Sequence, residues 1–165
     1  MTVIAKTPSG DEKKVDVKDL QFSINLYAVV VKDGKILISP QWQENGFDFP
    51  GGNIELGEEH LAGLVREVKE ETGFDVKPGR VLGIFTSFFS HPKKNRNFHS
   101  MQIYYTAEIV SGELSADGFD EGELEYAKPA KFVTLGELER MQFMNSNQKP
   151  LEVIMKYLRE KLSGK

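Results

Sequence analysis

The chain has 165 residues, 39% of them apolar and 28% charged, enough for one domain with a buried core. Its net charge of −4, from 21 basic and 25 acidic residues, exerts no overall pull toward nucleic acid or an anionic membrane. With no cysteine, disulfides, thiolate nucleophiles and cysteine-based zinc sites are excluded.

Residues 1–22 are polar and read as an N-terminal extension. Pro8-Ser9-Gly10-Asp11 is a turn signal between Val3-Ile4 and Val15-Val17, which predicts a short hairpin. The longest strongly apolar run, Leu26–Val31, is far short of the roughly 20 residues a membrane span needs. The amino terminus has no apolar segment of the secretory kind, so a cytoplasmic location is the expectation. Ile24–Val31 and Ile36–Ser39 read as strands joined through Asp33-Gly34, a hairpin pair. Phe47–Phe49 reads as a short strand stopped by Pro50-Gly51-Gly52. A helix is predicted over Glu58–Thr72, with acids in its first turn and Gly73 in the left-handed position after its end. Val76–Ser90 and Met101–Val110 read as strands on either side of a basic loop, and Phe85, Phe88 and Phe89 as core. Ala130–Thr134 is expected as a strand and Leu135–Met141 as a short helix. The last predicted element is a helix over Pro150–Leu162, with Leu151, Ile154, Met155, Leu158 and Leu162 at helical spacing.

The chemistry concentrates in the Glu58–Thr72 helix. At about 100° per residue, Leu61, Leu64, Val65 and Val68 form one face, and Glu67, Glu70 and Glu71 gather on the next. Three like charges on one face repel, and Gly63 costs the helix roughly 1 kcal/mol relative to alanine. Gly63 is expected near the acidic face, leaving room for a substrate or metal. Taken alone, an Arg-Glu-x-x-Glu-Glu run is most often a solvated, salt-bridged face. Hard divalent cations offer a different compensation: Mg²⁺ takes oxygen ligands, keeps waters and is held by a few carboxylates plus substrate phosphates. Such ions orient a water and lower its pKa for attack on a pyrophosphate. Pro50-Gly51-Gly52 would then allow a main-chain carbonyl to turn toward the metal.

From Gly52 to Phe74 the sequence reads G-x5-E-x7-R-E-U-x-E-E-x-G-U, where U is a bulky apolar residue. It resembles the signature of the Nudix (MutT-like) hydrolases at every specified position. The resemblance implies an α+β fold, an α/β/α sandwich around a mixed β-sheet, with 23–165 as a single Nudix domain. It implies that Glu70 and Glu71 are metal ligands and that Glu67 is a ligand or the general base. The Gly51 carbonyl is a further implied ligand. Arg66 would hold the carboxylates by ion pairing, and Glu58 would support that network or touch a bridging water. The implied cofactor is Mg²⁺, with Mn²⁺ as a substitute.

A further acid in this family often comes from a loop outside the signature. Between Glu113 and Glu125 the chain has Asp117, Asp120, Glu121 and Glu123 with no basic residue among them. Glu125, seven residues before Phe132, is the leading candidate as metal ligand or water activator, followed by Glu121 and Glu123. The segment His91–His99 supplies Lys93, Lys94 and Arg96 with His91 for gripping terminal phosphates, against the plainer reading of an exposed connection. Trp42 is a candidate for stacking on a base, with half-buried packing as the alternative.

The expected function is Mg²⁺-dependent hydrolysis of a pyrophosphate bond in a nucleoside diphosphate linked to another moiety. Water attacks phosphorus, and the partner is a small nucleotide. Nucleoside triphosphates, dinucleoside polyphosphates and nucleotide sugars all fit. Pro92 stands eighteen residues beyond Phe74, a little further than the proline that suggests ADP-ribose preference among relatives. Two alternatives stand beside this reading: a non-catalytic nucleotide-sensing module, and an RNA 5′-end pyrophosphohydrolase. The acidic balance argues against nucleic acid as a partner. A monomer or homodimer is expected, with no membrane partner.

Overall fold

The computed structural model describes residues 1–7, 10–41, 45–91, 95–115, 128–144 and 148–164. Strands β1 (Thr2–Lys6) and β2 (Glu12–Asp16) form an antiparallel hairpin, and a single 3₁₀ turn at Val17–Asp19 leads into β3 (Leu20–Lys32). Between β3 and β4 (Lys35–Pro40), Asp33 and Gly34 adopt φ values of 50° and 74°. Two successive left-handed residues give the turn whose twist matches that of a hairpin, as the Asp-Gly pair predicts. Two short strands follow, β5 (Gly46–Asp48) and β6 (Gly51–Asn53), and then helix α1 (His60–Thr72).

The helix begins two residues later than the sequence pattern suggests, and its first turn carries no acid. Glu58 is drawn back onto Arg66 and the Glu55 amide, and Glu59 becomes the cap. The Glu59 carboxylate accepts from the Leu61 and Ala62 amides, satisfying two otherwise orphaned donors. At the other end Gly73 is left-handed at φ 79°, and its N–H closes on the Lys69 carbonyl.

Two long antiparallel strands, β7 (Phe74–His91) and β8 (Arg96–Gly112), run further toward each other than expected, out to the pair His91↔Arg96. Then come β9 (Lys131–Val133), α2 (Leu135–Leu138), β10 (Gln142–Phe143) and α3 (Lys149–Leu162). Thr134 and Glu137 form a reciprocal capping box at the start of α2.

The strands join in one mixed sheet in the order β10-β5-β4-β3-β8-β7-β1-β2, with β6 paired to β3 and β9 to β4. Pairing of β3 with β8 is parallel, and β7–β8 and β3–β4 are antiparallel. Leu64 and Val68 of α1 pack with Leu26, Ala28 and Val30 on one sheet face, with Leu61 and Val65 at the margin. Ile154, Met155 and Leu158 of α3 pack with Val29, Tyr104 and Phe47 on the other. The result is the expected α/β/α layering of a mixed sheet. Phe85 packs at the edge of the α3-side core against Tyr104, as expected, whereas Phe88 and Phe89, further along β7, are half-buried and belong to neither core cluster. Phe88 lies instead against His99 on the sheet surface, with ring centroids 4.8 Å apart. Among the described residues no helix is long and apolar enough to cross a membrane.

Candidate active site

Pairing between β3 and β4 is confined to Val31↔Ile36 and Lys32↔Lys35. Beyond it, β3 pairs with β6 and β4 with β5, and the last turns of α1 meet these short strands. Here the sheet gives way to loops and a helix end, the kind of break where α/β folds place ligands.

Gly51 is obligatory. Its φ is 142°, and a Cβ there would fall 2.0 Å from the Leu26 carbonyl oxygen. This close approach lets the Gly51 N–H donate to Glu71 Oε2 at 3.1 Å. Ser39 Oγ donates to the same oxygen at 2.8 Å. Burial nevertheless pushes the Glu71 carboxyl up to about 8, against those two hydrogen bonds and helped by the charges of Glu67 and Asp48. Asp48, beside Ser39 through the Ser39↔Asp48 register, is raised to about 7 by burial, against the hydrogen bond that it accepts from the Phe49 N–H.

Arg66 organises the other carboxylates. Its Nε donates to Glu58 Oε1 at 2.8 Å and Nη2 to Glu58 Oε2 at 3.0 Å, a two-pronged pair. Nη1 donates to Glu67 Oε1 at 3.0 Å and to Glu70 Oε2 at 3.1 Å, and Nη2 also reaches the Asn53 carbonyl at 3.3 Å. The guanidinium beside it holds Glu58 down at about 2, with the Glu55 amide contributing. A Cβ at Gly52 would lie 2.5 Å from Glu67 Oε2, so that glycine makes room for the carboxylate itself.

Gly63 plays a different part from the one its position suggested. It is buried, and a Cβ there would meet Ile54 Cγ2 at 2.6 Å and Glu58 Oε2 at 2.7 Å. Its missing side chain is filled by Glu58 and Ile54, which leaves no room for a substrate or metal. The helix accepts the glycine because the Glu58–Arg66 pair occupies the notch.

Of the residues singled out from sequence, the structure gathers Glu58, Arg66, Glu67 and Glu70 into one hydrogen-bonded network, and seats Glu71 against Gly51. His91 and Arg96 face each other across the far end of β7 and β8. Six residues of strand separate Arg96 from Gln102, about 20 Å at strand rise. Trp42, Lys93, Lys94, Asp117, Asp120, Glu121, Glu123 and Glu125 lie outside the described residues. Ser39, Asp48 and Tyr27 carried no sequence signal, since each sits in an apolar or aromatic strand and acquires its neighbours only through strand pairing.

Among the described residues no group of three or more carboxylate or imidazole side chains forms a ready-made metal cage. Arg66 occupies Glu67 and Glu70 oxygens that a cation would otherwise face. The donor set still fits a hard cation. It is all oxygen, and it crowds three helix carboxylates together with one arginine among them.

Carboxylates gathered around one arginine at a helix end, beside a break in a mixed sheet, suit the handling of metal-bound phosphates. The NUDIX domain matches residues 21–154. The chain therefore belongs to the Nudix family and is a Nudix pyrophosphohydrolase. It is 31% identical over 156 residues to the ADP-ribose pyrophosphatase of Methanocaldococcus jannaschii, covering 90% of this chain and 83% of that one. A MutT-like protein of Streptomyces ambofaciens is 36% identical over 64 residues, 38% of this chain and 42% of that protein. The solved Nudix hydrolase from Nitrosomonas europaea shares the fold with a TM-score of 0.62 at 21% identity, covering 83% of this chain and 88% of that one.

Proposed function

We propose that the protein hydrolyses the pyrophosphate bond of a nucleoside diphosphate joined to a sugar, with ADP-ribose the foremost candidate. The observation that carries the reaction class is the network at the end of α1, where Glu58, Arg66, Glu67 and Glu70 are linked within 3.1 Å beside the half-buried Glu71. The likeness to the M. jannaschii ADP-ribose pyrophosphatase along most of both chains supports the substrate.

Glu67, Glu70 and Glu71, with the Gly51 carbonyl, would hold Mg²⁺. When bound, such an ion neutralises pyrophosphate charge and lowers the pKa of a water. The chain's own residues do the rest. Arg66 fixes the Glu67 and Glu70 carboxylates, so that they do not have to be ordered when substrate arrives. Ser39 and the Gly51 amide clamp one Glu71 oxygen and leave the other for a ligand. Glu67 serves as ligand or as general base taking the proton of the attacking water.

A panel of ADP-ribose, nucleoside triphosphates and dinucleoside polyphosphates with Mg²⁺ or Mn²⁺ tests this, with products resolved by chromatography. ADP-ribose should yield AMP and ribose 5-phosphate. Glu70→Gln and Glu71→Gln should each lower kcat on the order of a hundredfold or more while circular dichroism stays native. Near wild-type turnover in either variant refutes the assignment. Nucleotide-induced thermal stabilisation without any product would establish the sensor reading instead.

A further inference from the structure

We propose that Asn25 and Gln102, on the sheet face beside the carboxylates, bind the adjacent ring hydroxyls of a ribose in the substrate. This rests on the pyrophosphohydrolase reading above and adds what the site recognises.

Strand register puts the two residues together. Asn25 of β3 pairs with Gln102 of β8, which pairs in turn with Phe85 of β7. Ser23 pairs with Ser100, and Ser100 with Ser87. Cross-strand partners share a face, so these side chains project from the face that α3 covers further along at Val29 and Tyr104. There the face is apolar. At Asn25 and Gln102 it turns polar on two strands, with Phe85 on the third, and at Ser23, Ser100 and Ser87 it is polar on all three. Ser87, Ser100 and Gln102 are 5–6% exposed, and Asn25 and Ser23 are half-exposed. Asn25 Nδ2 donates to Ser100 Oγ at 2.5 Å and to Ser23 Oγ at 3.2 Å, which fixes its orientation.

This patch is continuous with the reacting end of the site. The Gln102 side chain hydrogen-bonds the Tyr27 phenol, on which the charges of Asp48, Glu71 and Glu67 act. Tyr27 also pairs with Gly51 in the β3–β6 ladder, and Asn25 with Asn53. A ligand whose phosphates lie at Glu67 and Glu71 has its neighbouring group over Asn25 and Gln102.

The chemistry of the patch selects that group. Asn25 Nδ2 is committed to Ser100 and Ser23, so Asn25 meets a sugar hydroxyl through its Oδ1 as acceptor. The neighbouring amide and hydroxyl groups are of the kind that a sugar hydroxyl, which both gives and takes a hydrogen bond, pairs with. A phosphate would call for Arg or Lys, and none of Ser23, Asn25, Ser87, Ser100 and Gln102 is charged. Beyond the patch on the same face, Phe89 and Phe98 stand opposite each other, both half-buried. Phe98 is four residues from Gln102, about 13 Å along the strand, on the scale of a ribose carrying a base. Those rings give a base an aromatic surface.

Calorimetry on the metal-free protein, with AMP, 2′,3′-dideoxy-AMP and ribose 5-phosphate as probes, tests the inference without turnover. AMP should bind roughly tenfold more tightly than its dideoxy analogue, the worth of one to two hydrogen bonds, and Asn25→Leu should erase the difference. Ribose 5-phosphate binding that Asn25→Leu weakens, without AMP discrimination, would assign the patch to the sugar on the other side of the pyrophosphate. Should Asn25→Leu not fold, Ser100→Ala removes the partner that orients Asn25 and should cut the discrimination severalfold. Equal binding of AMP and dideoxy-AMP together with Asn25-independent ribose 5-phosphate binding, or no binding of any probe at millimolar concentration, overturns the proposal. Hydrolysis of ADP-ribose with no hydroxyl discrimination defeats this subsite alone, and discrimination without hydrolysis of any substrate defeats the catalytic reading alone.

Discussion

Replacing Gly52 with alanine isolates the placement of one carboxylate. Gly52 is absent from the positive-φ positions, so alanine fits its backbone without strain. The new Cβ meets the Glu67 carboxylate and nothing nearer: Oε2 at 2.5 Å, Cδ at 2.7 Å and Oε1 at 3.1 Å. Ordinary contact begins at 3.4 Å, so Oε2 must retreat by about 0.9 Å. A displacement near 1 Å in a positioned group costs on the order of a hundredfold in rate, about 2.7 kcal/mol of barrier. Stability should hardly move. Alanine for glycine gains about 0.4–1 kcal/mol through the unfolded chain. Weakening the half-exposed Arg66–Glu67 pair costs at most about 1 kcal/mol. The two nearly cancel, which leaves Tm within about 4 °C of wild type for a chain of this size. Steady-state kinetics on the identified substrate, alongside thermal unfolding, reads both quantities. A double-mutant cycle sharpens the result: in a Glu67→Ala background, where no carboxylate remains to displace, Gly52→Ala should add no further loss. A kcat within threefold of wild type, or a full additional loss in the Glu67→Ala background, would refute the reasoning.

Ser39→Ala removes one of two donors to Glu71 Oε2 and leaves the Gly51 amide. The Mg²⁺ concentration for half-maximal rate should rise roughly tenfold, with kcat at saturating Mg²⁺ within about threefold, because the carboxylate is still present but less well held. An unchanged Mg²⁺ dependence would show that Ser39 does not position Glu71. The metal-free protein should also lose stability as pH rises. Folded Glu71 and Asp48 sit at about 8 and about 7, against 4.5 and 3.8 unperturbed, chiefly through burial. Both therefore bind protons more tightly folded than unfolded. The stability they confer is full below about pH 4 and is lost as pH climbs through 7 and 8. In chelator, Tm should fall by roughly 5–15 °C between pH 5 and pH 8, and added Mg²⁺ should restore far more of it at pH 8 than at pH 5. A Tm that stays flat or rises over that range without divalent cation would contradict the burial of these two groups.

The N-terminal hairpin shows how a locally legible element can have an unread destination. Turn chemistry between Val3-Ile4 and Val15-Val17 predicts two strands, and the structure pairs β1 with β2 over five residues. Nothing local says that β1 then joins the main sheet through Lys6↔Phe89, or that Lys13 Nζ reaches Ser90 Oγ at 3.4 Å and Asn97 Oδ1 at 3.3 Å. The same division separates Gly73 from Gly63. Gly73 was readable because a helix end demands a left-handed residue there, whereas the reason for Gly63 lies in Ile54 and Glu58, which fold back from the preceding loop.

Sequence alone determined the features that depend on bonded geometry over a few residues. The 3.6-residue period places Glu67, Glu70 and Glu71 next to the packing face of α1, Asp33-Gly34 closes a hairpin, and leucine and isoleucine spacing marks α3. These follow from backbone dihedrals that each residue carries wherever it is placed. Only the tertiary structure decided that Ser39 on β4 steadies Glu71, thirty-two residues away, and that Asn25 meets Gln102 across a parallel pair. Parallel strands need long crossovers, so their register is set by the packing of both sheet faces against α1 and α3. That packing energy is shared among Leu26, Val29, Leu64, Tyr104 and Ile154, and no short segment of the chain contains it.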